Sequence, residues 1–298
     1  MLRRTLLTIA ATLGVCLAAP ACKTDGDETH GRDGGSTAVA SGYAPVNGLR
    51  MYYEIHGAGK PLVLIHGGFA SIGMFKNVLP ALAKTRRVVA VELQGHGHTA
   101  DVDRPLGYEQ MADDTVALMD HIGVENADVF GFSLGGGVAQ QMAIRHPETV
   151  GKLVLASAPR ATDGWYPEIR AGIAGVTPED LISSPWYEEY LRVAPRPQDW
   201  PVLVAKLRQL LTDEVYDWTT SVAAIHAPVL LVVGDSDSVL HAHTLETFRL
   251  LGGGVAGDVA PLPKVQLAIV PGTAHSTLVS RGDLLSAILP PFLDPPAQ

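Results

Sequence analysis

The sequence predicts an α/β fold, a mostly parallel sheet covered by helices on both faces. Two observations predict it. Short apolar runs at 61–65, 87–93, 127–132, 152–158, 228–233 and 265–270 are rich in Val, Leu and Ile and do not alternate with polar residues. Strands buried on both faces read this way. Helix-length stretches lie between them, and strands alternating with helices build a parallel sheet with its functional loops at the C-terminal strand ends.

Each element has its own signal. Residues 49–56 precede the apolar runs and read as an antiparallel entry strand. Residues 109–122 carry apolar side chains at helical spacing, with Gly123 as a stop signal. A second helix, 135–145, ends before His146-Pro147. Residues 159–225 break the alternation. They hold Trp165, Trp186, Trp200 and Trp218, with Tyr166, Tyr187, Tyr190 and Tyr216, and prolines cut them into short helices. This segment reads as an inserted helical lid whose aromatics mostly pack with one another, with one or two facing a pocket.

Composition narrows the function classes. The 298 residues are 47% hydrophobic and 18% charged, as in a globular protein with a large core. That excludes a disordered or disulfide-scaffold chain. Acidic residues outnumber basic ones, 31 to 22, for a net charge of −9. With no basic stripe, nucleic acid is not an expected partner.

The N-terminus reads as an address. Arg3 and Arg4 precede an apolar stretch that ends at Ala19-Pro20-Ala21-Cys22. A positive start, a short apolar core and small residues before a boundary describe an export signal over residues 1–22. The end resembles a bacterial lipobox, in which Cys22 becomes the lipid-modified N-terminus; the alternative is plain cleavage near Ala21. Residues 23–44, rich in Gly, Asp, Thr and Ser, read as a flexible tether before a body spanning 45–298. The expected location is periplasmic or membrane-anchored. The only cysteines are Cys16 and Cys22, so the body holds no disulfide and no thiol nucleophile.

The chemistry concentrates at Gly131-Phe132-Ser133-Leu134-Gly135. A G-x-S-x-G run between a strand and a helix is a strained turn that lifts its serine to the sheet edge. There the Leu134 N–H, at the helix start, can face a developing oxyanion. A serine hydroxyl needs a base. His275, on the loop after the last apolar run, stands at that edge. The other histidines have structural readings, and His241-x-His243 lacks a third metal ligand and reads as a surface pair. Gly234-Asp235-Ser236-Asp237 offers the acid partner. Asp235 reads as a turn cap and Asp237 as the residue that reaches His275. His66-Gly67-Gly68 forms a glycine loop beside the elbow, with the Gly68 N–H as the expected second oxyanion donor and His66 ordering the loop. No Gly-Lys-Ser/Thr follows it, so it is no phosphate cradle.

These residues together resemble the α/β-hydrolase superfamily: the His66-Gly67-Gly68 loop, the turn Gln94-Gly95-His96-Gly97, the elbow, the Asp235–Asp237 loop and the late His275, in that order. The resemblance implies an eight-stranded sheet, a lid between strands six and seven, and a Ser133, Asp237 and His275 triad acting without cofactor or metal on a small, moderately apolar ester-like substrate. Within the family the elbow is similar to esterase, perhydrolase and carbon–carbon hydrolase groups. A non-catalytic binding module on the same fold is the rival from another class. Residues 251–263, with three consecutive glycines, look like an insertion, read as a surface loop rather than a flap. If Cys22 is lipidated, labelled fatty acid or glycerol is incorporated into the expressed protein; an unlabelled soluble product overturns the anchor.

Overall fold

The computed structural model describes residues 40–213 and 215–295. The expected export signal, Cys22 and most of the expected tether lie outside the described residues. Eight strands form one sheet: β1 (Ala40–Val46), β2 (Leu49–His56), β3 (Lys60–Ile65), β4 (Arg86–Val91), β5 (Ala127–Phe132), β6 (Val150–Ala156), β7 (Val229–Ser236) and β8 (Val265–Ala274). Their spatial order is β1-β2-β4-β3-β5-β6-β7-β8. β2 runs antiparallel to both its neighbours, and every later pairing is parallel. The tether was expected to reach Ala44, but β1 already pairs with β2 from Ala40. Its Ala44 and Val46 are buried while their neighbours are exposed, a half-buried edge pattern that small residues disguise.

The helices are α1 (Leu79–Leu82), α2 (Tyr108–His121), α3 (Leu134–Arg145), α4 (Pro167–Ala174), α5 (Pro185–Val193), α6 (Trp200–Arg208), α7 (Thr219–Ala223), α8 (His241–Leu250) and α9 (Gly282–Leu293). Among the described residues no helix is long and apolar enough to cross a membrane.

The runs of β3 to β7 are buried on both faces, and alternate residues feed two cores; the run at 265–270, expected to be buried likewise, forms the edge strand β8, whose Gln266 and Ile269 are exposed because no strand lies beyond it. Val63, Ile65, Val89, Val91, Val129, Leu153 and Leu155 pack with α2 and α3. Leu62, Leu64, Val88, Ala90, Phe130, Val154 and Ala156 pack with α1 and α9. At ~25 cal/mol per Å² of apolar surface removed from water, these double-sided strands dominate the stabilisation of the fold.

Between β6 and β7 the chain is helical, carrying α4 to α7. Trp200, Leu203, Val204 and Leu207 of α6 are buried in the first core. Both feet of the insert are stitched down. Thr162 N donates to Tyr216 O (2.9 Å) and Trp218 N to Arg160 O (3.0 Å). Trp165 bridges Val239 in antiparallel fashion, flanked by Tyr166 N to Ser238 O (3.1 Å) and Leu240 N to Gly164 O (2.8 Å). The 251–263 segment is a loop at the N-terminal end of β8, the pole opposite the elbow, with Val259 and Leu262 exposed.

The far pole is pinned by charge. Arg86, 1% exposed, donates to Asp128 (2.7 Å), to Asp294 through Nε (2.9 Å) and to Leu293 O (2.9 Å). This ties the end of α9 to the sheet. Removing one partner of a buried pair strands the other, at about 3–5 kcal/mol. Lys60 reaches Asp128 from a side chain that is 48% exposed, where a pair is worth about 1 kcal/mol or less. Asp128→Ala is therefore expected to lower the urea midpoint far more than Lys60→Met; equal shifts would contradict a buried origin for this anchor.

Candidate active site

The elbow is a backbone problem first. Ser133 has φ 53° and ψ −116°, a conformation that costs a non-glycine residue of order 1–3 kcal/mol. Its neighbours hold it there. A Cβ on Gly131 would stand 2.2 Å from Gly135 O, and one on Gly135 would stand 2.3 Å from Ile65 O. Only glycine permits both approaches. Ser133 N donates to Ala156 O (2.9 Å), while Ser133 O accepts from Gly136 N (2.9 Å) and Gly137 N (3.1 Å) to start α3.

Three distant stretches converge on this turn. Ser133 Oγ lies 3.0 Å from His275 Nε2, and His275 Nδ1 lies 2.9 Å from Asp237 Oδ1. An ionised carboxylate only accepts, so Nδ1 carries the ring proton and Nε2 is left to accept from the serine hydroxyl. Asp237 Oδ2 accepts from Ser157 Oγ (2.5 Å) and Gly234 N (3.0 Å), and Oδ1 also accepts from Val239 N (3.1 Å). Burial alone would raise the Asp237 pKa. The bonds from His275, Ser157 and Gly234 outweigh it and hold the carboxyl below its ordinary value. Asp235 instead caps the neighbouring loop, accepting from Gly272 N (2.8 Å) and Thr273 N (2.9 Å).

The glycine loop closes the other side. A Cβ on Gly67 would come within 3.4 Å of Ser133 Cβ, and one on Gly68 within 3.5 Å of Leu207 of α6. Phe69 takes φ 63°, turning the chain just after Gly68. Among the described residues, neither the Gly68 nor the Leu134 N–H donates to a protein acceptor. His66 is fully buried and orders the loop. Leu93 N donates to its Nε2 (3.1 Å) while its Nδ1 donates to Gly67 O (2.7 Å). Burial, with His96 close by, pushes its pKa down to about 3, so it is neutral.

Two groups here escaped the sequence analysis. Ser157 ends β6 with φ 50°; its only signal was a polar residue before Pro159 at a strand end. Glu92 is 1% exposed at the end of β4. It accepts from Ile72 N (3.2 Å), just past the glycine loop, and from His98 N (2.5 Å) and Nδ1 (3.0 Å). An acid closing an apolar strand was its signal. One reading is corrected: His243 is buried, not on the surface, because it packs under Gly164 and bonds Arg160. His241 bonds Gly234 O at 2.8 Å.

Aromatic rings frame the imidazole. Phe132 lies 5.1 Å from His275 at 36°, and Trp165 lies edge-on at 5.3 Å and 67°. Phe69 contacts Trp186 and Trp200 of the insert. Tyr187 and Tyr190 pack on Trp200, and Tyr108, Tyr216 and Trp218 pack with one another. A groove of about 470 Å³ on the outer face of α6 shares no residue with Ser133, Asp237 or His275.

A family profile of the α/β hydrolase fold matches residues 60–184. The chain is 40% identical over 112 residues to a 2-hydroxymuconate semialdehyde hydrolase of Pseudomonas sp. (strain CF600), a stretch covering 36% of this chain and 40% of that one. It is 34% identical over 137 residues to the pimeloyl-[acyl-carrier protein] methyl ester esterase of Vibrio cholerae, covering 45% and 52% of the two chains. These alignments thus span about half or less of the relatives' own lengths. Among solved structures, a membrane phospholipase A described as a bacterial virulence factor superposes with a TM-score of 0.67 at 23% identity over 86% of each chain. With its eight-stranded sheet and these matches, the chain has the α/β-hydrolase fold and is similar to that superfamily over residues 60–184.

Proposed function

We propose that the protein is a serine hydrolase that cleaves an ester or related carbonyl compound through an acyl-enzyme. The observation that carries this reading is the hydrogen-bonded line from Ser133 Oγ through His275 to Asp237, at 3.0 and 2.9 Å. Ser133 Oγ attacks the carbonyl carbon and its proton passes to His275 Nε2. Asp237 keeps the imidazole in the accepting tautomer and stabilises the imidazolium. The carbonyl oxygen, now an anion, takes hydrogen bonds from the Gly68 and Leu134 amides. His275 then gives its proton to the leaving group. Water repeats the sequence on the acyl-enzyme, releasing the acid and restoring Ser133. The helical insert acts as a lid over this chemistry, and Cys22 as a lipid anchor outside the cytoplasm.

A second reading has its own support in the likeness to a 2-hydroxymuconate semialdehyde hydrolase. The same groups can add water across a carbon–carbon bond next to a ketone. One fragment then leaves as a carboxylic acid and the other as an enol that collects the proton from His275. Perhydrolysis replaces the water with hydrogen peroxide.

Ser133→Ala is expected to abolish hydrolysis of a short p-nitrophenyl ester, by ~10⁴-fold or more in kcat, with the fold intact. A fluorophosphonate probe is expected to label the parent protein at Ser133 only; an unlabelled, inactive parent favours the binding-module rival. Asp237→Asn is expected to lower kcat by ~10⁴-fold, through loss of the tautomer, whereas Asp235→Asn should leave it within tenfold. A reversed ranking would reassign the acid.

A further inference from the structure

The glycine loop beside Ser133 is tied down by a sulfur. Gly67 N donates to Met74 Sδ at 3.3 Å. Gly67 O accepts from His66 Nδ1 (2.7 Å) and from Ala70 N (3.3 Å). Both polar groups of Gly67 are therefore engaged. Gly68 N shares the rigid peptide plane of Gly67 O, and its N–H points the opposite way. The contacts that hold Gly67 thus set the direction of the Gly68 N–H. Gly67 also packs against the nucleophile: a Cβ there would stand 2.9 Å from the Phe132 ring and 3.4 Å from Ser133 Cβ.

Among these contacts the one to sulfur can be changed covalently. A thioether is a weak acceptor that peroxides convert to a sulfoxide, and exposure decides which sulfur reacts. Met51, Met111, Met119 and Met142 are at most 1% exposed. Met74 is the one partly exposed methionine among the described residues, packed at the margin of the second core. The two cysteines, Cys16 and Cys22, lie outside the described residues, so no thiol in the body competes for an oxidant.

The turn that carries Met74 is stiff. This 3₁₀ turn, Ile72–Phe75, is capped by Ser71, whose Oγ accepts from Gly73 N (3.1 Å). Ile72 N donates to the buried Glu92 (3.2 Å). Phe75, 0% exposed, meets the Phe130 ring. A change at the sulfur is therefore passed to its partner, the loop of Gly67 and Gly68, which has no side chains to resist it.

We propose that Met74 is the site at which a peroxide modifies this protein, and that its sulfoxide lowers turnover by turning the Gly68 N–H away from the reacting carbonyl. The proposal rests on the hydrolase reading above, with Gly68 as an oxyanion donor. A sulfur lone pair attacks one oxygen of hydrogen peroxide. The S–O bond forms as the O–O bond breaks, and the departing hydroxide takes the proton of the transferred oxygen and leaves as water. Sulfur is oxidised by two electrons and peroxide is reduced. The sulfur no longer accepts from Gly67 N, and the new acceptor oxygen stands one bond further out. The loop has to shift to meet it or leave a buried N–H unpaired.

The full chain is treated with graded hydrogen peroxide, and oxidation is located by peptide mass mapping. Sulfoxide is expected at Met74 before any of Met51, Met111, Met119 or Met142. The kcat for a p-nitrophenyl ester and the rate of fluorophosphonate labelling at Ser133 should each fall at least tenfold in step with it, within the ~10²–10³ that a lost oxyanion donor costs. A pair of methionine sulfoxide reductases, one for each epimer, should restore both. Met74→Gln, with an amide oxygen near the place of the sulfoxide oxygen, should show the loss without peroxide. Met74→Leu, which offers no acceptor, should lose part of its kcat and then resist further loss at the same dose. Oxidation of a buried methionine first, Met74 sulfoxide with kcat kept within twofold, or equal inactivation of Met74→Leu overturns the proposal. An untreated parent that hydrolyses no ester and resists the fluorophosphonate defeats the hydrolase reading instead, while the peptide map still decides whether Met74 is the modified residue.

Discussion

One buried carboxylate organises the reactive end of this molecule. Asp237 accepts four hydrogen bonds, from the His275 ring, the Ser157 hydroxyl and the Gly234 and Val239 amides. Each donor comes from a different place: the loop after β8, the end of β6, the end of β7 and the start of the loop that follows it. A charge withdrawn from water is tolerable only when its lone pairs are filled, so the four elements are held in register by a common need. The imidazole orientation at Ser133 follows from that register, with Phe132 and Trp165 packed beside the ring.

The serine side of the site obeys a different constraint. Its backbone conformation is unfavourable in isolation, and it persists because Gly131 and Gly135 let strand, loop and helix approach more closely than any side chain would allow. Packing supplies what propensity does not. The same economy recurs at Glu92, where Gly97, at φ 52°, wraps so tightly that an added Cβ would lie 2.2 Å from the carboxyl carbon. In both places glycine lets main chain crowd against a group that must not move.

Much of this was readable from the residues. The double-sided strands announced themselves through unbroken Val, Leu and Ile, and the elbow through two glycines around a serine. The preference for Asp237 over Asp235 followed from turn position; Asp237 lies 2.9 Å from His275 Nδ1, and Asp235 accepts from the Gly272 and Thr273 amides. What stayed hidden depends on contacts between remote segments. Ser157 looks like any polar residue after a strand; nothing local says that a carboxylate eighty residues away in the chain will need its proton. Glu92 is an acid in an apolar run, a signal without a partner until Ile72 and His98 fold around it. β1 was lost in a small, polar stretch because an edge strand needs only half its residues inside.

The stitching at the base of the helical insert carries a consequence of its own. Residues 160–162 pair with 216–218, and 164–166 pair with 238–240, so the chain leaves and re-enters the body through a narrow clip. Closing a loop whose ends already touch costs little more when the loop grows, since the penalty rises only logarithmically with length. The stretch from Pro167 to Asp213 can therefore change length at little entropic cost wherever Trp200, Leu203, Val204 and Leu207 keep their places in the first core, while Trp165, outside it, stays clipped to the body.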